Sequence, residues 1–416
     1  MTYVLPYLTA SIPPMPGTAK ADYLDFKVEE LPLYLPSGEG SHTYFVLEKQ
    51  GLTTSQAVRE VARELGVPPR QIGVAGQKDS RGITRQMMSV EHRDPDRVAA
   101  LSLPRIKILN VSRHGNKLKT GHLKGNRFSI KIRDVAAERF PDVELVIDRL
   151  TERGVPNFYG PQRFGQRGDT WAIGRALLSA EYEETCRLIA GGPNEHDHGQ
   201  TLIARELYDQ ERYIEAAGAW PRGFREAVVV SKMMERYQGD GKRAVFSLDK
   251  RMLGFYVSAF QSHLFNQVLA QRIDGLDRVE NGDVAYKHEN GAAFQVEDAD
   301  IEQPRADRFE ISATGPLFGP KMKETGHDVR SLEERVLFES GTQIGVFPKS
   351  GPLRCRGGRR PLRVKLEHPR VEIGEDEHGD FFGFAFSLPA GSYATSVLRE
   401  VFKDKLLLSD GPSQQL

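Results

Sequence analysis

In LTTSQAVREVARELGV (52–67), Ala57, Val58, Val61, Ala62 and Leu65 recur at intervals that place them along one stripe of a helix. Thr53 and Gln56 fit a capping box ahead of that stripe, and Gly66 is placed to end it. The pattern then shortens. IGVAG (72–76) is an apolar run of strand length, so the polar residues after it form a loop at the end of a short buried strand. In NRFSIKIR (126–133) the period is two, with Phe128, Ile130 and Ile132 on one face and Ser129, Lys131 and Arg133 on the other. That predicts a half-exposed strand with a basic outer face.

Further along, 141–154 reads as a helix ending at Gly154, with a Pro- and Gly-rich loop behind it. Helical patterns follow near 171–190, 223–236 and 251–273, then a turn-rich connector at 315–322 and a capped helix at 331–341. FFGFAFSL (381–388) reads as a strand, and GSYATSVLREVF (391–402) turns into a last helix. Strands mixed with helices, without a βαβ rhythm, favour an α+β fold. The character changes near 154 and again near 347, with strand-rich basic segments outside those points and a helix-rich, more acidic segment between them. That suits one domain inserted into another: 1–154 and 348–416 for the first, 155–347 for the insertion.

Composition adds limits. The 416 residues allow two or three domains. The N-terminus lacks a basic n-region and its prolines interrupt any apolar run, so no signal peptide is expected. No apolar run approaches membrane-spanning length. Two distant cysteines, Cys186 and Cys355, predict free thiols in a reducing, cytoplasmic compartment. A formal net charge of zero speaks against a polyanion partner, yet charge is segregated. Residues 105–133 hold nine Lys or Arg and no acid, and residues 349–365 hold seven and no acid. Two such blocks suggest a localised polyanion site; solvated strand faces are the plainer alternative.

GVAGQKDSRGITRQ (73–86) sets Asp79 among Lys78, Arg81 and Arg85, with Arg70 just upstream. A phosphate-binding loop is excluded because Gln77 separates Gly76 from the lysine. Cations beside a carboxylate lower its pKa, which suits either a surface ion pair or a nucleophile or base acting without a metal. Asn126 and Phe128 lie beside a basic run, as in sites that hold an unstacked base, although Phe128 shares its face with Ile130 and Ile132 and fits a core equally well. NFYGPQRFG (157–165) crowds Tyr159, Arg163 and Phe164 into one glycine-bounded turn, a nucleotide contact or a hinge. The histidines of EHDHG (195–199) lack a third ligand at useful spacing and read as a solvated loop. The cations around Cys355 predict a lowered thiol pKa, without a partner pattern for reactivity.

Several of these segments, in matching order, resemble the TruD family of tRNA pseudouridine synthases. They are DFKVEELPLYLPSGEGSHTYFVLEKQGLTT (25–54), GVAGQKDSRGITRQ, LKGNRFSIKIR (123–133), GVPNFYGPQRFG (154–165), FQSHLFNQVL (260–269), TGPLFG (314–319) and LPAGSYATSVLREVF (388–402). The resemblance spans about residues 20–405, with Gly82 standing where the family's signature usually has alanine. It implies an α+β pseudouridine-synthase core, a mixed and largely antiparallel sheet with flanking helices, interrupted by a helix-rich α/β insertion domain. It implies isomerisation of uridine to pseudouridine, at position 13 of tRNA, a reaction without redox change or phosphate transfer that needs no cofactor or metal. With no coiled-coil heptad or long apolar stripe free in the sequence, a monomer without membrane or protein partner is expected. The family's catalytic carboxylate falls on Asp79. Its substrate-binding positions fall on Phe26, Asn126 and Phe128, and Lys78 and Arg163 join them as candidates. A non-catalytic RNA-binding protein on the same fold, and an N-glycosidase needing a second acid near Asp79, are the competing readings.

Overall fold

The computed structural model describes residues 5–409. The chain divides into two compact units, one of residues 7–155 and 364–416, the other of residues 1–6 and 156–363. The second crossing thus falls at 363/364, sixteen residues beyond the change in sequence character near 347. The reason is pairing: strand Gly358–Pro361 is hydrogen-bonded to Ile311–Leu317, inside the inserted unit.

The first unit is built on a twisted sheet that holds ten strands among the described residues. Its main path runs 367–376, 379–389, 123–133, 26–32, 83–91, 42–50, 106–114. The pairings along that path are antiparallel except 26–32 with 83–91. Helix Thr54–Leu65 covers one end of the sheet. Thr53 and Gln56 form the capping box and Gly66 closes the helix in the left-handed conformation. Its stripe of Ala57, Val61, Ala62 and Leu65 packs on Phe45, Leu47 and Met88 of the strands beneath. At the other end, Phe382 meets Phe140 of helix Phe140–Arg153, and Phe384 meets Phe402 of helix Ala394–Phe402. The two helical covers leave the middle of the sheet face for the loop that carries Asp79.

The inserted unit wraps short helices around Lys250–Gln271, whose buried residues lie all round it and so show no amphipathic stripe. The pattern at 171–190 is two helices, Thr170–Leu178 and Tyr182–Ala190, because Ala180 turns through the left-handed region. The segment expected as a connector at 315–322 begins inside strand Ile311–Leu317. Pro316 is tolerated there because pairing with Val284–Lys287 ends at Ala313, so no ladder partner is lost on that side.

Each basic block mixes exposed cations, such as Lys107 and Arg127 or Arg354 and Arg356, with others that the fold buries against acids. Arg133, expected on an exposed face, is buried against Asp25 at 2.6 Å and reaches Asp376 at 2.8 Å, and Lys131 joins the same Asp376 at 2.6 Å. In the second block, Arg359 is sealed against Glu333 at 2.7 Å. Arg363 is 1 % exposed and donates to the Ala306 carbonyl. Sequence proximity shows no acid in either block, but the fold brings acids to both.

Candidate active site

The loop after strand Gly73–Val74 is pinned at three points. The Lys78 amide donates to Thr54 Oγ1 (2.8 Å), whose hydroxyl donates in turn to Gln86 Oε1 (2.9 Å). Lys49 Nζ, from the inward face of strand His42–Gln50, donates to the carbonyls of Asp79 (2.8 Å) and Leu52 (2.5 Å). Burial lowers the Lys49 ammonium to about 8, with the Asp79 charge opposing the shift and Lys78 adding to it. The third pin is Lys78 itself: Nζ pairs with Glu30 Oε2 at 2.6 Å, and Glu30 Oε1 accepts the Met87 N–H. Side-chain exposures of 5 % and 1 % put this pair inside the protein. Lys78, expected to contact substrate, is therefore a buried support of the loop.

Asp79 itself stays at the surface, its side chain 36 % exposed. Its Oδ2 pairs with the ammonium of Lys20, and its Oδ1 accepts the Arg81 N–H at 3.2 Å. Burial pushes the carboxyl up, but the Lys20 hydrogen bond and charge and the N–H groups of Arg81 and Ser80 outweigh it. The net shift is downward, so the group is ionised at neutral pH. The nearby cations take other partners. Lys78 goes to Glu30, Arg85 to Glu48, and Arg81 to the Ser409 carbonyl. Lys20 follows strand Gly17–Ala19 in a left-handed backbone conformation and sets its ammonium 4.2 Å from the centroid of the Phe26 ring.

The register puts the remaining candidates on one face. Residues directly opposite in a ladder project to the same side, and Phe26, Val28 and Glu30 lie opposite Ile130, Phe128 and Asn126. On the other side, Phe386 and Leu388 lie opposite Phe128 and Asn126. The Phe128 ring is 5.4 Å from that of Phe386 and 6.5 Å from that of Phe26. Asn126 Oδ1 is buried and has no hydrogen-bond partner among the described residues, an acceptor held ready for a donor the protein does not supply. Gly82 brackets the loop at φ +153°, and a Cβ there would sit 2.3 Å from the Phe26 carbonyl oxygen. Glycine is what lets loop and strand close on each other at this point.

Arg163 belongs to the inserted unit. Its Nε donates to Ser262 Oγ at 3.1 Å and its guanidinium faces the rings of Phe255 and Tyr159. Cys355 departs from expectation, because burial pushes its thiol up despite the neighbouring cations. No group of three or more His, Cys, Asp or Glu suited to a metal occurs among the described residues. None of the described helices is long and apolar enough to cross a membrane.

The residues that the motif alone missed are Lys20, Lys49 and Glu30. Two of them carry a readable signal. Phe45, Leu47 and Lys49 share the inward parity of one strand, as do Phe26, Val28 and Glu30 of another, so a charge falls where the alternation demands an apolar side chain. Lys20 carries no such mark.

A solved structure titled as the putative tRNA pseudouridine synthase D (TruD) from Methanosarcina mazei superposes with a TM-score of 0.83. It is 26 % identical and is matched over 96 % of each chain. The fold is thus that of the pseudouridine synthases: a mixed-sheet α+β core with an inserted helix-rich unit. A family model described as tRNA pseudouridine synthase D (TruD) matches residues 4–401. A tRNA pseudouridine synthase D of Geobacter sp. (strain M21) is 45 % identical over 95 % of this chain and 99 % of its own length. One from Thermus thermophilus is 39 % identical over 97 % of this chain and 93 % of its own. The chain belongs to the tRNA pseudouridine synthase D (TruD) family.

Proposed function

We propose that this protein converts uridine to pseudouridine in tRNA, at position 13, with Asp79 as the catalytic carboxylate. The observation that carries the reading is Asp79 itself, partly exposed, held ionised by Lys20 and fixed through its backbone by Lys49. The reaction breaks the N1–C1′ bond, turns the uracil, and joins C5 to C1′; the C5 proton leaves to solvent and N1 takes one up. With one proton released and one taken up, electrons and atoms balance without a co-reactant, so an ionised oxygen placed at the sugar suffices. Asp79 performs the first step either by attacking C1′ or by taking the 2′ proton on the way to a glycal.

A uridine within a folded RNA must leave its stack to be reached, at a cost of about a few kcal/mol. Asn126 Oδ1 supplies an acceptor for the uracil N3–H, and the Phe26 and Phe128 rings supply apolar surface for the base. Lys78 acts from inside, holding the loop rather than the substrate. Glycosidase chemistry is disfavoured because the nearby acid, Glu30, is committed to Lys78 and the Met87 amide.

The test is Asp79→Asn on transcribed tRNA labelled with tritium at uridine C5. Tritium release is expected to fall by at least about a thousandfold while tRNA binding persists. Release at the wild-type rate would remove Asp79 from this role. Mapping pseudouridine in total RNA with and without the gene tests position 13.

A further inference from the structure

The inserted unit contains a cavity of about 460 Å³, none of whose lining residues belongs to the unit that carries Asp79. Its walls are aromatic: Tyr159, Phe164, Trp171 and His263 line it. Trp171 and His263 stack at 4.0 Å with planes 6° apart, and Phe164 stands edge-on to His263 at 86°. All four rings are only partly covered. The size falls in the range of about 300–1,000 Å³ usual for small-ligand sites.

The polar lining says what such a ligand carries. Asp169, Asn194 and Glu195 line the cavity; Asn194 Oδ1 already accepts the His196 N–H, which leaves the two carboxylates as the cavity's acceptors. Arg167 also lines the cavity: it lies between Asp169 (3.1 Å) and Asp197 (3.8 Å) and donates from Nη2 to the Gly192 carbonyl, while its Nε and Nη1 are buried without a hydrogen-bond partner among the described residues. Asp169 and Asp197 offset its charge, and the unpartnered Nη1–H leaves a donor for a carbonyl or ring nitrogen of the same ligand. A flat ring with exocyclic amino and ring N–H donors finds π-faces and acceptors together. Burial lowers His263 to about 4, so at neutral pH it presents an uncharged ring for stacking. Arg163 sets its guanidinium 5.8 Å from the centroid of the Tyr159 ring.

We propose that this cavity is a second base-binding site, which takes one unstacked, amino-bearing base of the RNA, guanine fitting best, other than the uridine that reacts. The proposal rests on the reading of this chain as an RNA-modifying enzyme. Holding a second base ties recognition to the folded shape of the RNA, because a base can be offered there only where the RNA structure leaves it unpaired.

The test uses the full chain with Trp220→Phe, so that Trp171 is the sole tryptophan fluorophore. Transcribed tRNA is expected to quench it, and millimolar GMP to do so weakly or not at all. Phe164→Ala on the same background is expected to weaken tRNA binding about five- to hundredfold, corresponding to about 1–3 kcal/mol for one stacked base. The slope of log affinity against log salt stays unchanged, because no phosphate contact is lost. Phe164→Tyr, which keeps the ring, is expected to restore binding.

Absence of Trp171 quenching by tRNA overturns the proposal. So does wild-type affinity in Phe164→Ala, and so does quenching by GMP without any by tRNA. The fluorescence arm needs no change in the cavity, so it decides even if Phe164→Ala folds poorly. Tritium release by the wild-type chain, measured alongside, keeps a failure here distinct from a failure of the RNA-modifying reading.

Discussion

Lys20 and Asp79 stand 59 residues apart in sequence and form one ion pair at the head of the sheet face. The pair decides which way the Asp79 carboxyl shifts. Burial pushes it up, and Lys20 with two backbone N–H groups pulls it below its usual 3.8.

The sign of the pH dependence follows. With Asp79 proposed as the working carboxylate, activity is expected to be lost as pH falls through its pKa, and the downward shift sets the wild-type acid limb below that of an ordinary aspartate. Lys20→Ala leaves burial as the largest influence, so the limb moves up toward neutrality. Below it, kcat/KM falls about tenfold per pH unit. Lys20→Arg, which keeps the charge, moves the limb far less. A profile of Lys20→Ala that overlies the wild type between pH 4 and 8 would show that Lys20 does not set the ionisation.

Lys78 and Glu30 predict a stability effect of the opposite kind from a surface bridge. Both are inside, and removing one partner strands a buried charge. Glu30→Gln is expected to cost about 3–5 kcal/mol in urea unfolding of the full chain. The double variant Glu30→Leu with Lys78→Met recovers most of that, because no unpaired charge remains. Its activity stays below wild type, since the loop has lost a support. Equal losses in the single and double variants would mean that the pair contributes only packing.

These two ion pairs also show what the sequence made legible. The capped helix 54–65 and the strand through Phe128 were readable, because capping and period-two alternation are local. The Asp79 motif was readable by resemblance. Its electrostatics were not, because the partners come from other strands and adjacency in sequence says nothing about pairing in space. The same failure explains the two basic blocks. Arg133 finds Asp25, and Arg359 finds Glu333, only once register is set. Lys49 and Glu30 were visible in principle as charges on inward strand positions, a mark that resemblance to a motif does not use.

The thiols give a prediction independent of the site. Burial raises Cys186 to about 12, against an ordinary value of 9.0, and also raises Cys355. At pH 8 the native chain is expected to react with a thiol reagent slowly at Cys355. Cys186 should be slower still, about a thousandfold below an exposed thiol from its ionisation alone. Unfolding in urea should release both at the ordinary rate. Fast stoichiometric labelling of two thiols in the native chain would contradict the burial of Cys186.

Gly82 supplies the sharpest local test, because the family pattern usually has alanine there. In this chain the residue sits at φ +153°, where L side chains are strained, and an added Cβ would lie 2.3 Å from the Phe26 carbonyl oxygen and 3.1 Å from its ring. Backbone cannot yield as a flexible side-chain tip does, so either the loop or the strand carrying Phe26 must shift. Gly82→Ala is therefore expected to cost about 1–3 kcal/mol of stability. The shift reaches function because Phe26 also lies under the Lys20 ammonium, and Lys20 holds Asp79. Displacing Phe26 disturbs that contact, so the acid limb of Gly82→Ala should move in the same direction as in Lys20→Ala, by less. A thermal melt and a kcat/KM profile from pH 4 to 8 check the two halves together. Unchanged stability would mean the loop adapts to alanine without pressing on Phe26, and an unchanged pH limb would separate Gly82 from the Lys20–Asp79 pair.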